Sequence, residues 1–150
     1  MDRSDAPLIA VQKRMKRRVK RFLRGEMWGN RGNHCILCGP KGAGKSTLVR
    51  GLAEYVSDKE ACAIRANGAR LQLTPMQILR EQVPELADCT TLDQMFGALV
   101  ERKARVLLII EEIHYIFRER SKGWTQEFVS DLHTIGTTEV ERSNVLCILT

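Results

Sequence analysis

Hydrophobic residues follow two alternating patterns along the chain. Steps of three and four residues, typical of amphipathic helices, occur at residues 8–24, 45–57, 92–100 and 124–135. Short apolar runs of strand length lie at residues 34–38, 61–66, 105–110 and 145–149. Strands that alternate with helices pair in parallel through right-handed crossovers. The pattern therefore predicts an α/β fold, a three-layer sandwich around a mostly parallel sheet of about four strands.

Capping signals mark where several helices begin and end. Residues 74–77, Thr-Pro-Met-Gln, combine a capping hydroxyl, a proline at the first helical position and a glutamine placed to close a capping box. The helix that starts there should stop before Pro84. The same spacing of threonine and glutamine at residues 91–94 opens the next helix, and Gly136 is expected to end the last one.

The composition is that of one domain with an uneven distribution of charge. The chain has 150 residues, and its hydrophobic fraction of 43% is enough for a packed core. Its apolar runs are far shorter than the roughly 18 residues of a membrane-spanning helix, so we expect no transmembrane segment. The basic charge is concentrated in residues 13–24, which contain eight Lys or Arg and no acid. We therefore expect a basic amphipathic N-terminal helix, residues 1–24, and a core domain, residues 25–150.

The cysteine content indicates reduced thiols. There are five cysteines, an odd number, and no secretory signal precedes them. Because disulfide scaffolds are typical of small secreted proteins, this pattern favours an intracellular protein, in the cytoplasm or the nucleus. Cys35 and Cys38 form a Cys-x-x-Cys pair, which is a weak metal or redox signal without a second pair of cysteines or histidines.

A glycine-rich loop joins the first predicted strand to the next helix, and it fits G-x-x-x-x-G-K-[ST] without a mismatch. Its residues are Gly39, Pro40, Lys41, Gly42, Ala43, Gly44, Lys45 and Ser46, with Thr47 next in the helix. Glycines let backbone N–H groups wrap around a polyphosphate, and the helix N-terminus adds its positive end. Lys45 would supply a charge for the β- and γ-phosphates, and Ser46 a hydroxyl ligand for Mg²⁺. For Lys41, a further phosphate contact and a solvated loop position are both open.

The third predicted strand ends in two acids, Glu111 and Glu112. In a phosphate-loop site the first acid holds Mg²⁺ and the second polarises the attacking water. Two solvated acids at a strand end are the alternative. The first acid is ordinarily aspartate, and the extra methylene of Glu111 moves the carboxylate outward by about 1.5 Å. Since Mg²⁺ requires near-octahedral geometry, we expect nucleotide binding to be more secure than hydrolysis.

The loop, the acid-tipped strand and a further strand ending in a polar residue together resemble the AAA+ ATPases, over roughly residues 25–150. Residues 64–68, followed by Leu-Thr-Pro at residues 73–75 and a helix, look like the initiator branch, which includes the origin-recognition ATPases. Residues 107–117 are similar to archaeal ATPases of the STAND class, which work as signalling switches. Both branches stay open. The resemblance implies ATP and Mg²⁺ as cofactors, and ATP is favoured because the GTPase motif Asn-Lys-x-Asp is absent from the sequence.

The resemblance assigns roles to individual residues. Lys45 and Ser46 match the phosphate and magnesium residues of the family. Glu111 takes the metal position and Glu112 that of the catalytic base. Asn67 matches the place of a polar residue that restrains the catalytic acid, although a turn-forming asparagine before a glycine explains it equally well.

Other residues match family positions less specifically. Thr150 lies where the family places a sensor of the γ-phosphate, and an ordinary threonine after a strand is the alternative. The family also uses an arginine finger from a neighbouring subunit, which would require an oligomer. Arg142 and Arg120 are the candidates, and a solvated surface arginine is the alternative for each. Trp28 is a candidate contact for the nucleotide base, and a packed tryptophan is the alternative.

The family fold continues beyond the sensor strand to a fifth strand and a helical lid, whereas this sequence ends at Thr150. The resemblance therefore implies weak ATP binding and very slow hydrolysis for this chain alone. Two rival functions remain open at this point. One is a STAND-type switch that works without turnover, and the other is a basic binding module with a relic phosphate loop.

The basic block at residues 13–24 can bind phosphate-rich surfaces. The explanation favoured first is a helix that packs its apolar stripe on the domain and leaves its charges solvated. DNA is the possible partner that ranks next, through contacts with the phosphate backbone. An anionic membrane face and an organelle transit peptide are the remaining alternatives.

Overall fold

The computed structural model describes residues 5–26, 34–39, 42, 44–59, 61–118 and 121–150. Its helices are α1 (Asp5–Leu23), α2 (Lys45–Ser57), α3 (Pro75–Gln82), α4 (Leu92–Glu101), α5 (His114–Arg118), α6 (Lys122–Thr137) and α7 (Val140–Ser143). Its strands are β1 (Cys35–Ile36), β2 (Cys62–Asn67), β3 (Val106–Glu111) and β4 (Val145–Leu149). A short 3₁₀ helix, Pro84–Leu86, follows α3.

The four strands form one parallel sheet in the order β1-β4-β3-β2. β3 and β4 occupy the centre, while β1 and β2 are the outer strands. All six residues of β3 are buried, as expected for a central parallel strand covered on both faces. The predicted α/β fold with about four parallel strands is confirmed.

The sheet separates two hydrophobic clusters, which makes three layers. Leu107 and Ile109 of β3 pack in the cluster formed with α1 and α2. Leu108 and Ile110, which point to the opposite face, pack in the cluster formed with α3, α4 and α6. This alternation follows from the two-residue period of a strand.

Helix α1 buries its apolar stripe and exposes its basic side chains. Met15, Val19 and Phe22 are buried in the same cluster as α2. The described basic residues that are exposed are Lys13, Arg14, Lys16, Arg17, Lys20, Arg21 and Arg24. Arg18 is the basic side chain that turns inward, where its guanidinium lies 2.9 Å from the sulfur of Cys35 on β1. The helix is therefore part of the packed domain, and its outer face carries the charge.

The capping signals located two helix starts correctly. Thr74 and Gln77 form the reciprocal capping box of α3. The side chain of Thr91 accepts from Gln94 N and caps α4. The prediction that Gly136 ends the last long helix is wrong, because α6 continues through it and becomes extended only at Thr138. A glycine inside a helix costs only about 1 kcal/mol, which a packed helix tolerates.

No helix in the described residues is long and apolar enough to cross a membrane. All five cysteines lie in the described part of the chain, and none forms a disulfide. Burial raises the pKa of Cys147 to about 12, with Cys35 nearby as a second cause. Burial also raises the pKa of Cys62, helped by Glu85. These two thiols are therefore protonated at neutral pH and poorly reactive.

Candidate nucleotide site

The carboxyl ends of the four strands bring the predicted site residues to one edge of the sheet. Asn67, the last residue of β2, pairs in register with Glu111, the last residue of β3. Thr150 follows β4, and its backbone N–H donates to the carbonyl of Ile110 at 3.0 Å. Its own carbonyl accepts from Ile113 N at 3.0 Å. Because the loop after β1 starts at this same edge, the topology gathers both halves of the expected site there.

Two described glycines of the loop that leads into α2 have backbone conformations that suit a phosphate loop. Gly42 and Gly44 have φ values of 85° and 89°, in the left-handed region that glycine adopts readily. A Cβ added at Gly42 would meet nothing within 4 Å in the described structure, so the loop is open at this point. Gly44 is the N-cap of α2, and no side chain in the described residues caps that end. The first N–H groups of the helix are therefore available to an anion.

The side chains of the first turn of α2 lie beside this loop. The Nζ of Lys45 donates to the carbonyl of Gly39 at 2.6 Å. Ser46 and Thr47 are exposed. Lys45 thus folds over the loop, and the hydroxyl of Ser46 is accessible. Five of the residues that the sequence proposed for the site lie outside the described part of the chain: Trp28, Pro40, Lys41, Ala43 and Arg120.

Glu111 is paired with an arginine that the sequence did not single out. Arg65 of β2 reaches the carboxylate through three contacts, Nε to Oε2 at 3.1 Å, Nη2 to Oε1 at 3.1 Å and Nη2 to Oε2 at 2.8 Å. The Glu111 side chain is 11% exposed and that of Arg65 36% exposed. Both carboxylate oxygens are therefore engaged in a charge-assisted fork in a largely buried position.

The chain turns sharply after β3, at the second acid. Glu112 has a φ of 55°, which is uncommon for a residue with a side chain. Gly68 packs against this turn, with its N–H donating to the carbonyl of Glu111 at 2.7 Å. A Cβ at Gly68 would approach Glu112 O to 2.3 Å, so only glycine fits. The Glu112 carboxylate is half-exposed and lies 3.4 Å from His114 Nε2.

Asn67 and Arg142 have well-defined surroundings, and the roles that the family resemblance gives them stay predictions. The side-chain oxygen of Asn67 accepts from Ala69 N at 2.9 Å, which forms the turn that such a residue favours before glycine. Arg142 lies on α7, which precedes β4 and is therefore at the opposite edge of the sheet. It is exposed and pairs with Glu139 at 3.5 Å. That position is away from the carboxyl edge of the sheet, where Asn67, Glu111 and Thr150 lie.

The arrangement fits a triphosphate better than it fits a metal ion. Left-handed glycines, an uncapped helix N-terminus and Lys45 supply hydrogen-bond donors and positive charge for phosphates. The exposed hydroxyl of Ser46 fits Mg²⁺. The carboxylate of Glu111 already accepts three contacts from Arg65, so a metal held there would share it with that guanidinium. The described residues contain no group of three or more His, Cys, Asp or Glu side chains that could hold a metal ion by themselves.

A parallel sheet in this order, with a glycine-rich loop entering a helix at its carboxyl edge, defines a P-loop nucleotide-binding domain. The family model of the AAA domain matches residues 29–149. The chain therefore belongs to the AAA domain family. A search of curated proteins returned no match.

Two solved structures share the fold at low sequence identity. Cdc6p from Pyrobaculum aerophilum is 14% identical with a TM-score of 0.52, and the alignment covers 92% of this chain and 38% of that one. The ORC2 protein of Aeropyrum pernix, solved as ADPNP–ADP complexes, is 16% identical with a TM-score of 0.52, over 99% of this chain and 41% of that one. The chain thus spans about two fifths of these proteins.

Proposed function

We propose that this domain binds ATP together with Mg²⁺ and hydrolyses it slowly, and that nucleotide state controls its assembly or its engagement of DNA. The observation that carries the proposal is the loop before α2, where left-handed glycines precede a helix end that no described side chain caps. Backbone N–H groups that converge in this way favour a chain of phosphates over smaller or neutral ligands.

The residues around the loop have separable roles in this proposal. Lys45 and the loop of residues 39–47 hold the phosphates, the loop through its backbone N–H groups, which every residue there except Pro40 carries. Ser46 and Glu111 are the protein ligands for Mg²⁺, which screens phosphate charge when bound. Glu112 accepts a proton from the attacking water. Asn67 and Thr150, at the ends of neighbouring strands, are proposed to orient the acid and to sense the γ-phosphate.

Adenine is the proposed base for two reasons. The sequence lacks Asn-Lys-x-Asp, the motif through which GTPases read guanine. The Aeropyrum pernix relative was solved with ADPNP and ADP, both adenine nucleotides. An ATP-dependent protein with reduced thiols also fits an intracellular location, which stays part of the proposal.

Loss of nucleotide binding in Lys45→Ala is the test of this function. We expect the affinity for a fluorescent ATP analogue, measured with Mg²⁺, to fall by at least tenfold, because a charge-assisted contact to phosphate is removed. Lys122→Ala, an exposed lysine at the start of α6, is the matched control and should bind as the wild type does. If the wild type does not bind adenine nucleotides, the proposal is refuted, and a basic binding module with a relic phosphate loop is favoured instead.

The exposed face of α1 is the proposed contact for DNA. Its charge lies on a helix that is anchored in the core by Met15, Val19 and Phe22, so the basic residues form a stable surface. Contacts of this kind are to the phosphate backbone, and their affinity falls steeply with salt. An arginine finger supplied by a neighbouring subunit belongs to the same proposal, with assembly dependent on nucleotide.

Charge reversal on α1 tests the DNA contact without removing a core helix. In a triple variant with Lys13→Glu, Arg17→Glu and Arg21→Glu, we expect the affinity for duplex DNA at low salt to fall at least a hundredfold. Each substitution removes a phosphate contact and introduces a carboxylate that repels the phosphates. The matched control reverses three exposed basic residues elsewhere, Arg50, Arg102 and Lys122. Equal loss in both variants would indicate non-specific attraction and reject α1 as the contact.

A second function, a switch without turnover, is favoured by one specific observation. Arg65 occupies both oxygens of Glu111, the proposed metal ligand. A site that binds nucleotide while its metal carboxylate is neutralised would exchange nucleotide rather than hydrolyse it. Absence of phosphate release by the wild type, with nucleotide binding intact and the protein oligomerised, would select the switch.

A further inference from the structure

Arg65 lies on the face of β2 that adjoins α2, two residues before Asn67. In the parallel register Arg65 is opposite Ile109 and Asn67 is opposite Glu111. The guanidinium therefore extends along the sheet towards its carboxyl edge to reach Glu111. Among the described residues, Arg65 is thus the cation that forms an ion pair with the carboxylate assigned to the metal.

The contact between the two residues is a fork rather than a single hydrogen bond. Nη2 of Arg65 lies within 3.1 Å of both carboxylate oxygens of Glu111, and Nε donates to Oε2. Planar guanidinium and carboxylate groups match each other in this geometry. Because Glu111 is 11% exposed, water competes weakly for its oxygens. The carboxylate end of the pair is consequently shielded from water, while the guanidinium end is 36% exposed.

We propose that Arg65 competes with Mg²⁺ for the carboxylate of Glu111, so that the Arg65–Glu111 pair must open before the metal is held at the nucleotide site. This inference rests on the proposed function. It makes Arg65 a positioning residue that sets how strongly nucleotide binding depends on metal. In the wild type the nucleotide is held mainly by the loop before α2, with little added affinity from Mg²⁺.

The length of the acid supports this assignment. A glutamate carries its carboxylate about 1.5 Å further from the strand than an aspartate does. Contacts of 2.8–3.1 Å would be stretched well beyond hydrogen-bond length if the carboxylate withdrew by that amount and the guanidinium stayed in place. The glutamate at position 111 is therefore the acid that Arg65 can hold.

The test compares nucleotide affinity with and without metal. The affinity for a fluorescent ATP analogue is measured in excess Mg²⁺ and in EDTA, and the ratio of the two gives the metal dependence. We expect a ratio of a few-fold at most for the wild type. Arg65→Gln should raise this ratio by about tenfold, because a charge-assisted fork to Glu111 is lost while affinity in EDTA changes little. Arg70→Gln removes an exposed arginine from the turn that follows β2 and should leave the ratio unchanged.

A second variant covers the case in which Arg65→Gln does not fold. Glu111→Asp keeps the acid but shortens it away from Arg65, and it should raise the ratio in the same direction. A ratio that stays at the wild-type value, or falls, in the folded variants overturns the inference and leaves ATP binding intact. Loss of all nucleotide binding by the wild type would instead remove the proposed function and the inference together.

Discussion

The two halves of the nucleotide site are built in different ways. The loop half consists of consecutive residues, 39–47, and it acts through backbone shape at Gly42 and Gly44. The acid half combines side chains from two strands, and its central pair, Arg65 and Glu111, is separated by 46 positions in the sequence. The first half can be recognised as a motif, whereas the second depends on how strands are aligned.

This difference in construction implies a difference in function. In the proposed function, the loop half supplies donors and positive charge that hold phosphates in any nucleotide state. The acid half contains the groups proposed to respond to metal and water, Glu111 and Glu112. Binding and turnover should therefore be separable by substitution.

The largest expected effect belongs to the second acid. In Glu112→Gln we expect nucleotide hydrolysis to fall roughly 10²–10⁴-fold, because the amide cannot accept a proton from water. Affinity for the ATP analogue should stay within about twofold of the wild type, since the loop half is untouched. Single-turnover phosphate release and equilibrium binding, measured on the same preparation, give the two numbers.

His114→Gln is the control for this substitution. His114 Nε2 lies 3.4 Å from the Glu112 carboxylate, so the control disturbs the neighbour without removing the acid. If both halves respond together, with Glu112→Gln losing nucleotide affinity as well as turnover, the separation proposed here is wrong.

Much of the fold could be predicted from local patterns. The span of α2, the start of α3 at Pro75 and the span of β4 all agree with the sequence, because each depends on periodicity or on a cap within a few residues. Two short helices, α5 and α7, were not predicted. Helices of this length carry too little periodicity to detect, and tertiary contacts hold them in place.

Less of the site could be predicted, and the reason lies in the sheet. The acid pair was found because it ends an apolar strand. Arg65 was missed because an arginine in an outer strand reads as a solvent-facing side chain. One signal could have found it: Arg65 and Asn67 are spaced two residues apart, so they share a face, and a parallel partner strand ending in acids would place Glu111 within reach.

The next effect tests whether backbone shape matters in the acid half too. Gly68→Ala should destabilise the fold by about 1–3 kcal/mol, because the new methyl group would lie 2.3 Å from the Glu112 carbonyl and the turn must shift. Urea unfolding measures the change. Gly97→Ala in α4 has open space at the Cβ and should instead stabilise by up to about 1 kcal/mol. Equal stability of the two variants would show that the acid turn is not held by this close approach.

The smallest expected effect concerns the link between the loop half and the rest of the sheet. His34 directly precedes β1, and its Nδ1 accepts from Cys147 N on β4 at 3.2 Å. Its Nε2 lies 3.4 Å from the carbonyl of Thr138, which fits the neutral ring with the proton on Nε2. Burial lowers the pKa of His34 below its ordinary value of 6.5. Hydrogen bonds to the carbonyls of Thr138 and Ile135 raise the pKa, but by less than burial lowers it.

The sign of the pH dependence follows from this lowered pKa. Above pH 6.5 the ring is neutral in both states, and the contribution to stability is complete. As pH falls, the unfolded chain binds the proton first, so stability is lost progressively below pH 6.5 and through the folded pKa. His34→Asn keeps an acceptor for Cys147 N but does not titrate. Between pH 7.5 and pH 5.5 its free energy of unfolding should therefore fall by about 1 kcal/mol less than that of the wild type. His133→Asn, an exposed position on α6, should behave as the wild type does. If the wild type and His34→Asn show the same pH profile, protonation of His34 does not control the stability of the sheet at β1.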